Sequence, residues 1–107
     1  WLCFITTAVC EAEGKPDDCA ELTAFRRFRD GWLSQQPDGP ALIEEYYEIA
    51  PAIVLHLQYA DDAPARYAAL RRDYLSPCYA ALQAGDPGRC KQLYTQMVRR
   101  LERQYLQ

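Results

Sequence analysis

Apolar residues recur every three or four positions along most of this chain, and glycine and proline separate the segments that carry the pattern. Such spacing places apolar side chains on one face of a helix, whereas a half-buried strand needs strict alternation. Glycine and proline are typical of the loops between such segments. The pattern therefore predicts an all-α protein, a small compact bundle of about five helices.

The first two predicted helices are bounded by recognisable end signals. The first runs from about Leu2 to Ala12 and ends at Gly14, because glycine adopts the left-handed conformation that closes a helix. The second begins after Asp18, which forms a pattern like a capping box with Glu21 three residues later. It ends at the sequence QQPDGP, whose prolines cannot continue a helix.

Prolines interrupt two of the remaining three helices. The third helix spans residues 41–60 after a predicted cap at Asp38, and its wide apolar stripe predicts neighbours on more than one side. Pro51 lacks an N–H and clashes with the preceding turn, so we expect either one kinked helix or two shorter ones. The fourth has Pro64 in its first turn and a second predicted kink at Pro77. The fifth begins at residues 86–87.

The predicted core is made of the apolar stripes of the last four helices, and Cys3 and Cys10 are expected to help seat the first segment against the second and third helices, with Phe4 and Ile5 anchoring it. The stripes are Leu22, Phe25, Phe28, Trp32 and Leu33; Leu42, Tyr46, Ile49, Ile53 and Leu57; Tyr67, Leu70, Tyr74, Cys78 and Leu82; and Cys90, Tyr94, Met97, Leu101 and Tyr105. The short connections favour antiparallel neighbours.

Composition limits the classes of function. The 107 residues suffice for one domain, 1–107, and their 50% apolar and 25% charged content is typical of a soluble globular protein. A net charge of −3 gives no basic footprint for nucleic acid. We interpret two arginine groups, residues 26–29 and 99–103, as solvated helix faces. No segment approaches the roughly 20 apolar residues of a membrane span.

The start of the chain leaves its context open. It opens with Trp1 and not with methionine, which is compatible with a module of a longer protein, and no signal peptide is visible. We expect a cytoplasmic location. No glycine-rich phosphate loop or haem motif is present in the sequence, so no cofactor is predicted.

Five cysteines suggest pairs across helix hairpins. Cys78 and Cys90 lie at nearly equal distances from the turn between the last two helices, and Cys10 and Cys19 stand in the same relation to the first turn. Each pair should face across its hairpin, with Cys3 left over. The spacing leaves three alternatives open: reduced core thiols, disulfides, or metal ligands.

Cysteine chemistry at Cys3 is the alternative to a packing role. A nucleophilic thiolate needs a neighbouring base, and His56 is the single histidine of the chain. A Cys3–His56 pair is therefore the candidate catalytic dyad. Metal binding is weaker, because the cysteine gaps do not match structural zinc sites and the Glu-x-x-His pattern of di-metal bundles is absent. No metal ligand is assigned.

Several ordered segments resemble a known bacterial family. They are CFITTAVC at 3–10, KPDDCAELTAFRRFRDGWL at 15–33, QPDG at 36–39 and EYYEIAPAIV at 45–54. Together they resemble the CFI-box domain, named for an opening Cys-Phe-Ile, and cover about half of the chain closely. The resemblance implies a helical module, standing alone or attached to varied partners, with no assigned activity and no catalytic residues to transfer.

Two roles remain for the polar residues of the matched segments. Arg26, Arg29, Asp30, Tyr46 and Tyr47 are expected to form an internal polar clamp between helices or an interaction surface. The first hypothesis is thus a non-enzymatic interaction or scaffold module with an unknown protein partner. The second is a cysteine-dependent enzyme or redox site centred on Cys3 or Cys10, and the third is a metal-binding module.

Overall fold

The computed structural model describes residues 4–107 and confirms the predicted fold class. The first three residues, Trp1, Leu2 and Cys3, lie outside the described residues. The candidate dyad of Cys3 with His56 therefore also falls outside them. Of the residues described, 82% are helical and none is in a strand, and the helices number five when the two that are joined by a π-helical turn at residues 71–75 are counted as one. The helical segments are α1 (Phe4–Ala12), α2 (Ala20–Arg27) with a π-helical turn (Phe28–Trp32) and a 3₁₀ turn (Leu33–Gln35), α3 (Gly39–Gln58), α4 (Ala63–Leu70), a second π-helical turn (Arg71–Leu75), α5 (Ser76–Gln83) and α6 (Pro87–Tyr105).

Helices α4 and α5 form one rod through the second π turn, and α6 lies between this rod and α3. Arg66 of α4 bonds to Tyr105 at the end of α6, whereas Cys78 of α5 contacts Cys90 at its start, so the rod and α6 are antiparallel. Helix α3 runs parallel to α6, because Asp38 pairs with Lys91 and a later α3 residue pairs with Arg99. The Cα radius of gyration is 13.0 Å, which is the value expected for a compact chain of about this length.

The core draws on every helix and largely matches the predicted stripes. Its fully buried side chains include Ile5 and Val9 of α1, which lie beside the stripes of the later helices. Buried stripe residues are Leu22, Phe25, Phe28, Tyr46, Ile53, Leu57, Leu70, Cys78, Cys90, Met97 and Leu101. Trp32, Leu33, Ile49, Tyr67, Tyr74, Leu82, Tyr94 and Tyr105 are half-buried and pack against them.

The two interior prolines have different effects. Pro51 lies within α3, which is one continuous helix, so the alternative of two shorter helices is wrong. Pro77 stands just after the second π turn. Its ring would clash with the carbonyl of Asp73 in a regular helix, and a wider turn relieves that clash. The first π turn contains no proline, and the sequence pattern did not predict it.

Glycine ends two helices in the same way. Gly14 and Gly85 have φ values of 75° and 76°, and in each case the next amide bonds back to the carbonyl five residues before it. These are Schellman caps, which require the left-handed conformation that glycine adopts without strain. The prediction for Gly14 is confirmed.

The predicted acidic caps have mixed outcomes. Asp86 caps α6 by accepting a bond from the Arg89 amide at 3.1 Å. Asp38 occupies the N-cap position of α3, but its carboxylate binds Lys91. The prediction of a capping box formed by Asp18 and Glu21 is wrong. Helix α2 begins after Cys19, and the Glu21 side chain points inward, where its carboxylate accepts a hydrogen bond from Arg71.

Candidate functional site

A partly buried ionic cluster joins the C-terminal end of α1, α2 and the second π turn. Arg71 donates bidentate hydrogen bonds to Glu21 and further bonds to Glu13, at 2.6 Å from Nη2 to Oε1. Cys10, fully buried in α1, donates its thiol hydrogen to Glu21 Oε1 at 3.2 Å. We call Cys10, Glu13, Glu21 and Arg71 the Arg71 cluster. It ties the first two helices to a segment that lies 50 or more residues later in the chain.

The charges of the Arg71 cluster keep the Cys10 thiol protonated. Burial and the hydrogen bond to Glu21, whose negative charge also opposes ionisation, raise the pKa of Cys10 to about 12. Burial works to raise the pKa of Glu21 as well, but the bonds from Arg71 and Cys10 outweigh it and hold that pKa below its usual value. A thiol in this state is a hydrogen-bond donor and a poor nucleophile.

A second buried cluster consists of hydroxyl groups. Tyr46 of α3 and Tyr94 of α6 share a hydrogen bond at 3.0 Å between their hydroxyl oxygens. The Tyr46 hydroxyl also accepts the Ile5 amide at 2.9 Å, and Tyr94 bonds to Thr6 at 3.0 Å. Ile5 is in the first turn of α1, where amides have no partner within the helix. The tyrosines thus anchor the start of α1.

The predicted polar clamp is distributed over separate places. Arg26 bonds back to the carbonyl and carboxylate oxygens of Asp17, and Arg29 forms a bidentate pair with the adjacent Asp30. Tyr46 bonds across helices as described above. Tyr47 is 37% exposed and meets the Phe4 ring edge-on at 6.2 Å between centroids.

Three of the four described cysteines are buried, whereas His56 is exposed. No disulfide joins any two of the four described cysteines in the structure, and Cys19 is half-buried. Cys78 and Cys90 are buried on facing helices, with Cys78 Sγ 3.8 Å from the Cys90 carbonyl oxygen. The two cysteine pairs remain predictions as disulfides. His56 is exposed and stacks on Tyr105, and no group of three potential metal ligands is found within the described range.

One concave feature of the described residues is an apolar groove. It lies between the first π turn, α3 and α6, has a cavity volume of about 70 Å³, and opens partly to solvent. Its walls are mostly aliphatic and aromatic. The lining residues are Phe25, Phe28, Arg29, Leu33, Leu42, Ile43, Glu45, Tyr46, Lys91, Tyr94, Thr95, Val98 and Arg99. We call this the α2–α3–α6 groove.

Ion pairs mark the rim of the α2–α3–α6 groove. Lys91 Nζ lies 2.7 Å from Asp38 Oδ1, and Arg99 makes a bidentate pair with Glu45. Both pairs connect α3 with α6, one at each end of the shared wall. Exposed pairs of this kind add little to stability, but they fix long side chains and place charge beside an apolar floor.

The local backbone explains why the α2–α3–α6 groove forms. The first π turn widens the helix where Phe28 and Arg29 face the groove, and π turns occur frequently at functional sites. Across the corner, Gly39 begins α3 directly against the Leu33 backbone, where a Cβ atom would overlap the carbonyl oxygen. The missing side chain lets α3 approach the end of α2 closely enough to form one wall.

The sequence did not single out Arg71, Glu13, Tyr94 or Lys91 for these roles. Arg71 had one available signal, since it directly follows Leu70 of an apolar stripe. Arg99 was interpreted as solvated, and its pairing with Glu45 corrects that interpretation in part. The partners could not be read from the sequence because they are 48 or more residues apart.

Comparison of the chain with protein-family models, with curated protein sequences and with solved structures finds no match. Within residues 4–107, no helix combines the length and the apolar character needed to cross a bilayer.

Proposed function

We propose that this chain is a non-enzymatic helical module that binds a protein partner, and that the α2–α3–α6 groove receives an apolar side chain of that partner. The observation that carries the proposal is an apolar cavity, partly open to solvent, at an irregular turn of helix. Apolar pockets with a few charged groups at the edge are the usual form of binding sites.

The size of the groove favours one side chain over a larger ligand. Engineered apolar cavities of about 150 Å³ bind benzene, and this groove has about half that volume. An aliphatic side chain such as leucine can place its tip between Leu42 and Val98 while its backbone stays outside. Aromatic and arginine residues, which line this groove, are enriched among the residues that dominate protein interfaces.

The state of Cys10 argues against the cysteine-dependent alternative. Its thiol is fully buried, and its pKa of about 12 leaves almost no thiolate at neutral pH. Iodoacetamide labelling of the native protein, followed by mass spectrometry of each cysteine, tests this alternative for all five thiols. We expect Cys10, Cys78 and Cys90 to remain unlabelled at pH 7, whereas rapid labelling of Cys3 or Cys10 below pH 7 would favour an enzyme.

The resemblance to the CFI-box domain fits the same proposal. The resemblance implies a recurrent bacterial module that is found alone or joined to varied partners. A binding role is more compatible with such a module than the catalysis of one particular reaction. On this proposal the module works in a bacterial cytoplasm, where its cysteines stay reduced and serve as packing.

A peptide library displayed on phage tests the proposal directly. We expect selection on the purified protein to enrich peptides that share one large aliphatic residue. Thr95→Trp should abolish their binding, because Thr95 lines the groove and an indole would fill it. The matched control is Gln96→Trp, which adds the same side chain at an adjacent exposed position of α6.

Two results would overturn the proposal. The first is the absence of any enriched peptide. The second is the enrichment of peptides that bind the Thr95→Trp variant as tightly as they bind the parent protein. Thermal unfolding of both tryptophan variants shows whether loss of binding reflects loss of the fold. A second substitution that fills the groove, Val98→Phe, checks the result at another lining residue.

A further inference from the structure

We infer that the α2–α3–α6 groove is coupled to the docking of α1, so that a bound side chain holds the first turn of α1 in place and loosening of that turn weakens binding. This inference rests on the proposed function, since it concerns the regulation of the same groove. The link consists of Tyr46 and Tyr94, because each of these residues reaches both the groove and the start of α1.

The aromatic rings of the two tyrosines form part of the groove wall. Tyr46 and Tyr94 both line the groove, and their ring centroids are 5.7 Å apart. The Tyr94 ring also lies 5.8 Å from the ring of Phe25, a third lining residue. Because the cavity volume is only about 70 Å³, a small displacement of either tyrosine ring changes which side chain fits.

The hydroxyl groups of the same tyrosines hold the first turn of α1. The Tyr46 hydroxyl accepts the Ile5 amide at 2.9 Å, the two tyrosine hydroxyl oxygens are 3.0 Å apart, and Tyr94 bonds to Thr6 at 3.0 Å. Ile5 and Thr6 are fully buried, so water does not replace these bonds while α1 is docked. A buried polar group without a partner is costly, and the tyrosines and the first turn therefore fix each other's positions.

Helix α1 itself does not touch the groove. None of its residues, Phe4–Ala12, is among the residues that line the cavity. A change at the start of α1 must therefore be transmitted to a bound side chain through residues that contact both places, as Tyr46 and Tyr94 do.

The first turn of α1 supplies an element with two states. The ends of helices open locally at a lower free energy than their centres. When the turn opens, the tyrosine hydroxyls lose their bonds to Ile5 and Thr6, and packing alone holds the two rings. A side chain that fits the ring positions of the docked state binds that state more tightly. By linkage, binding then favours docking by the same factor by which docking favours binding.

Substitutions at Thr6 test the inference, because Thr6 is a positioning residue that does not line the groove. Thr6→Val keeps the shape of the side chain and removes its hydroxyl. We expect it to raise the dissociation constant of a peptide selected from the phage library about fivefold, measured by fluorescence anisotropy. Thr6→Ser keeps the hydroxyl and should bind nearly as tightly as the parent protein. In a Tyr94→Phe background, Thr6→Val should have no further effect, since the bond between the two hydroxyls is already absent.

Arg71→Met is the control for a general loss of stability. It removes the bonds of Arg71 to Glu13 at the other end of α1, and no member of the Arg71 cluster lines the groove. We expect it to destabilise the protein more than Thr6→Val does, and yet to leave the affinity for the peptide unchanged. The comparison is made at a temperature at which circular dichroism shows both variants to be folded.

Amide hydrogen exchange measures the coupling in the other direction. A saturating amount of the same peptide should slow exchange of the Ile5 amide about fivefold. The control is the Ala84 amide, which bonds to the Ala80 carbonyl at the end of α5, a helix that contributes no residue to the groove. Exchange at Ala84 should not change.

The outcomes separate this inference from the proposed function. Peptide binding that Thr95→Trp abolishes and Thr6→Val leaves unchanged would overturn the coupling and leave the groove as a binding site. Equal weakening by Thr6→Val and Thr6→Ser, equal weakening by Thr6→Val and Arg71→Met, or equal slowing at Ile5 and Ala84 would also overturn the coupling. Absence of any enriched peptide would overturn the proposed function and the coupling with it.

Discussion

Arg71 donates hydrogen bonds to both carboxylate oxygens of Glu21, a residue 50 positions earlier in the chain. The Glu21 side chain is only 6% exposed and the Arg71 side chain 17% exposed, so the pair is largely removed from water. A buried ion pair adds little compared with a well-packed apolar pair, but removing one partner leaves a charge that water cannot reach. The pair therefore controls how α2 sits against the α4–α5 rod.

Loss of the Arg71 charge should destabilise the protein strongly. We expect Arg71→Met to lower the free energy of unfolding by about 3 kcal/mol, near the lower end for breaking a buried ion pair. The lower end applies because Lys15 Nζ, 3.8 Å from Glu21 Oε1, still compensates part of the charge. Urea denaturation at pH 7 measures the change.

A neighbouring arginine serves as the control for Arg71. Arg72 has a 74% exposed side chain and pairs with the adjacent Asp73, so Arg72→Met should leave the urea midpoint nearly unchanged. Adding Glu21→Gln to Arg71→Met should restore part of the lost stability, because it removes the unpaired charge. Equal destabilisation by the two Met variants would show that the Arg71 cluster has no special role.

The Cys10 thiol should make the protein less stable in alkali. Its pKa is raised from 9.0 to about 12 in the folded state, so above pH 9 the unfolded chain loses this proton first. The stabilising contribution is complete below pH 9 and is lost as the pH rises toward 12, by up to about 1.4 kcal/mol per pH unit. Cys10→Ala should remove this slope between pH 9 and 11. Parallel pH profiles of the two proteins would contradict the assignment.

The tyrosine hydroxyls should contribute to stability through the start of α1. Tyr46→Phe leaves the buried Ile5 amide without its acceptor, which costs about 1 to 2 kcal/mol. Amide hydrogen exchange at Ile5 should become faster in this variant than in the parent protein. Tyr59→Phe is the control, because Tyr59 is 79% exposed. Unchanged exchange at Ile5 in Tyr46→Phe would rule out the anchoring role.

The sequence allowed prediction of most of the fold, because helix patterns and end signals are local. The stripe of α6 and the Gly14 cap depend on residues within a few turns, and both are confirmed. The role of Glu21 was missed because a local capping pattern competed with a bond to Arg71. A charge-assisted bond in a buried site outweighs a surface cap, and the sequence does not reveal which distant cation will be near.

The α2–α3–α6 groove could not be predicted for a related reason. Its shape depends on a π turn at 28–32, which alters the register of the following side chains without a proline to signal it. It also depends on the contact of Gly39 with Leu33, and glycine in QPDGP is equally typical of an ordinary turn.

Gly39 should tolerate no side chain. We expect Gly39→Ala to cost about 2 kcal/mol, because the added methyl group overlaps the Leu33 carbonyl oxygen and the two helices must move apart. Gly88→Ala is the matched control in the first turn of α6, where a Cβ would meet nothing closer than Asp86 Oδ1 at 3.8 Å. It should stabilise the protein by up to about 1 kcal/mol. Thermal unfolding compares the two, and equal effects would contradict the close approach of α3.

Chemical-shift mapping with ¹⁵N-labelled protein and a leucine-containing peptide enriched from the phage library tests the central claim most directly. If the α2–α3–α6 groove is the binding site and the Arg71 cluster is structural, the amide shifts that change should concentrate at Leu42, Thr95 and Val98, with little change at Cys10 and Arg71. Shifts concentrated around Cys10 and Arg71, or no shifts at saturating peptide, would contradict the claim.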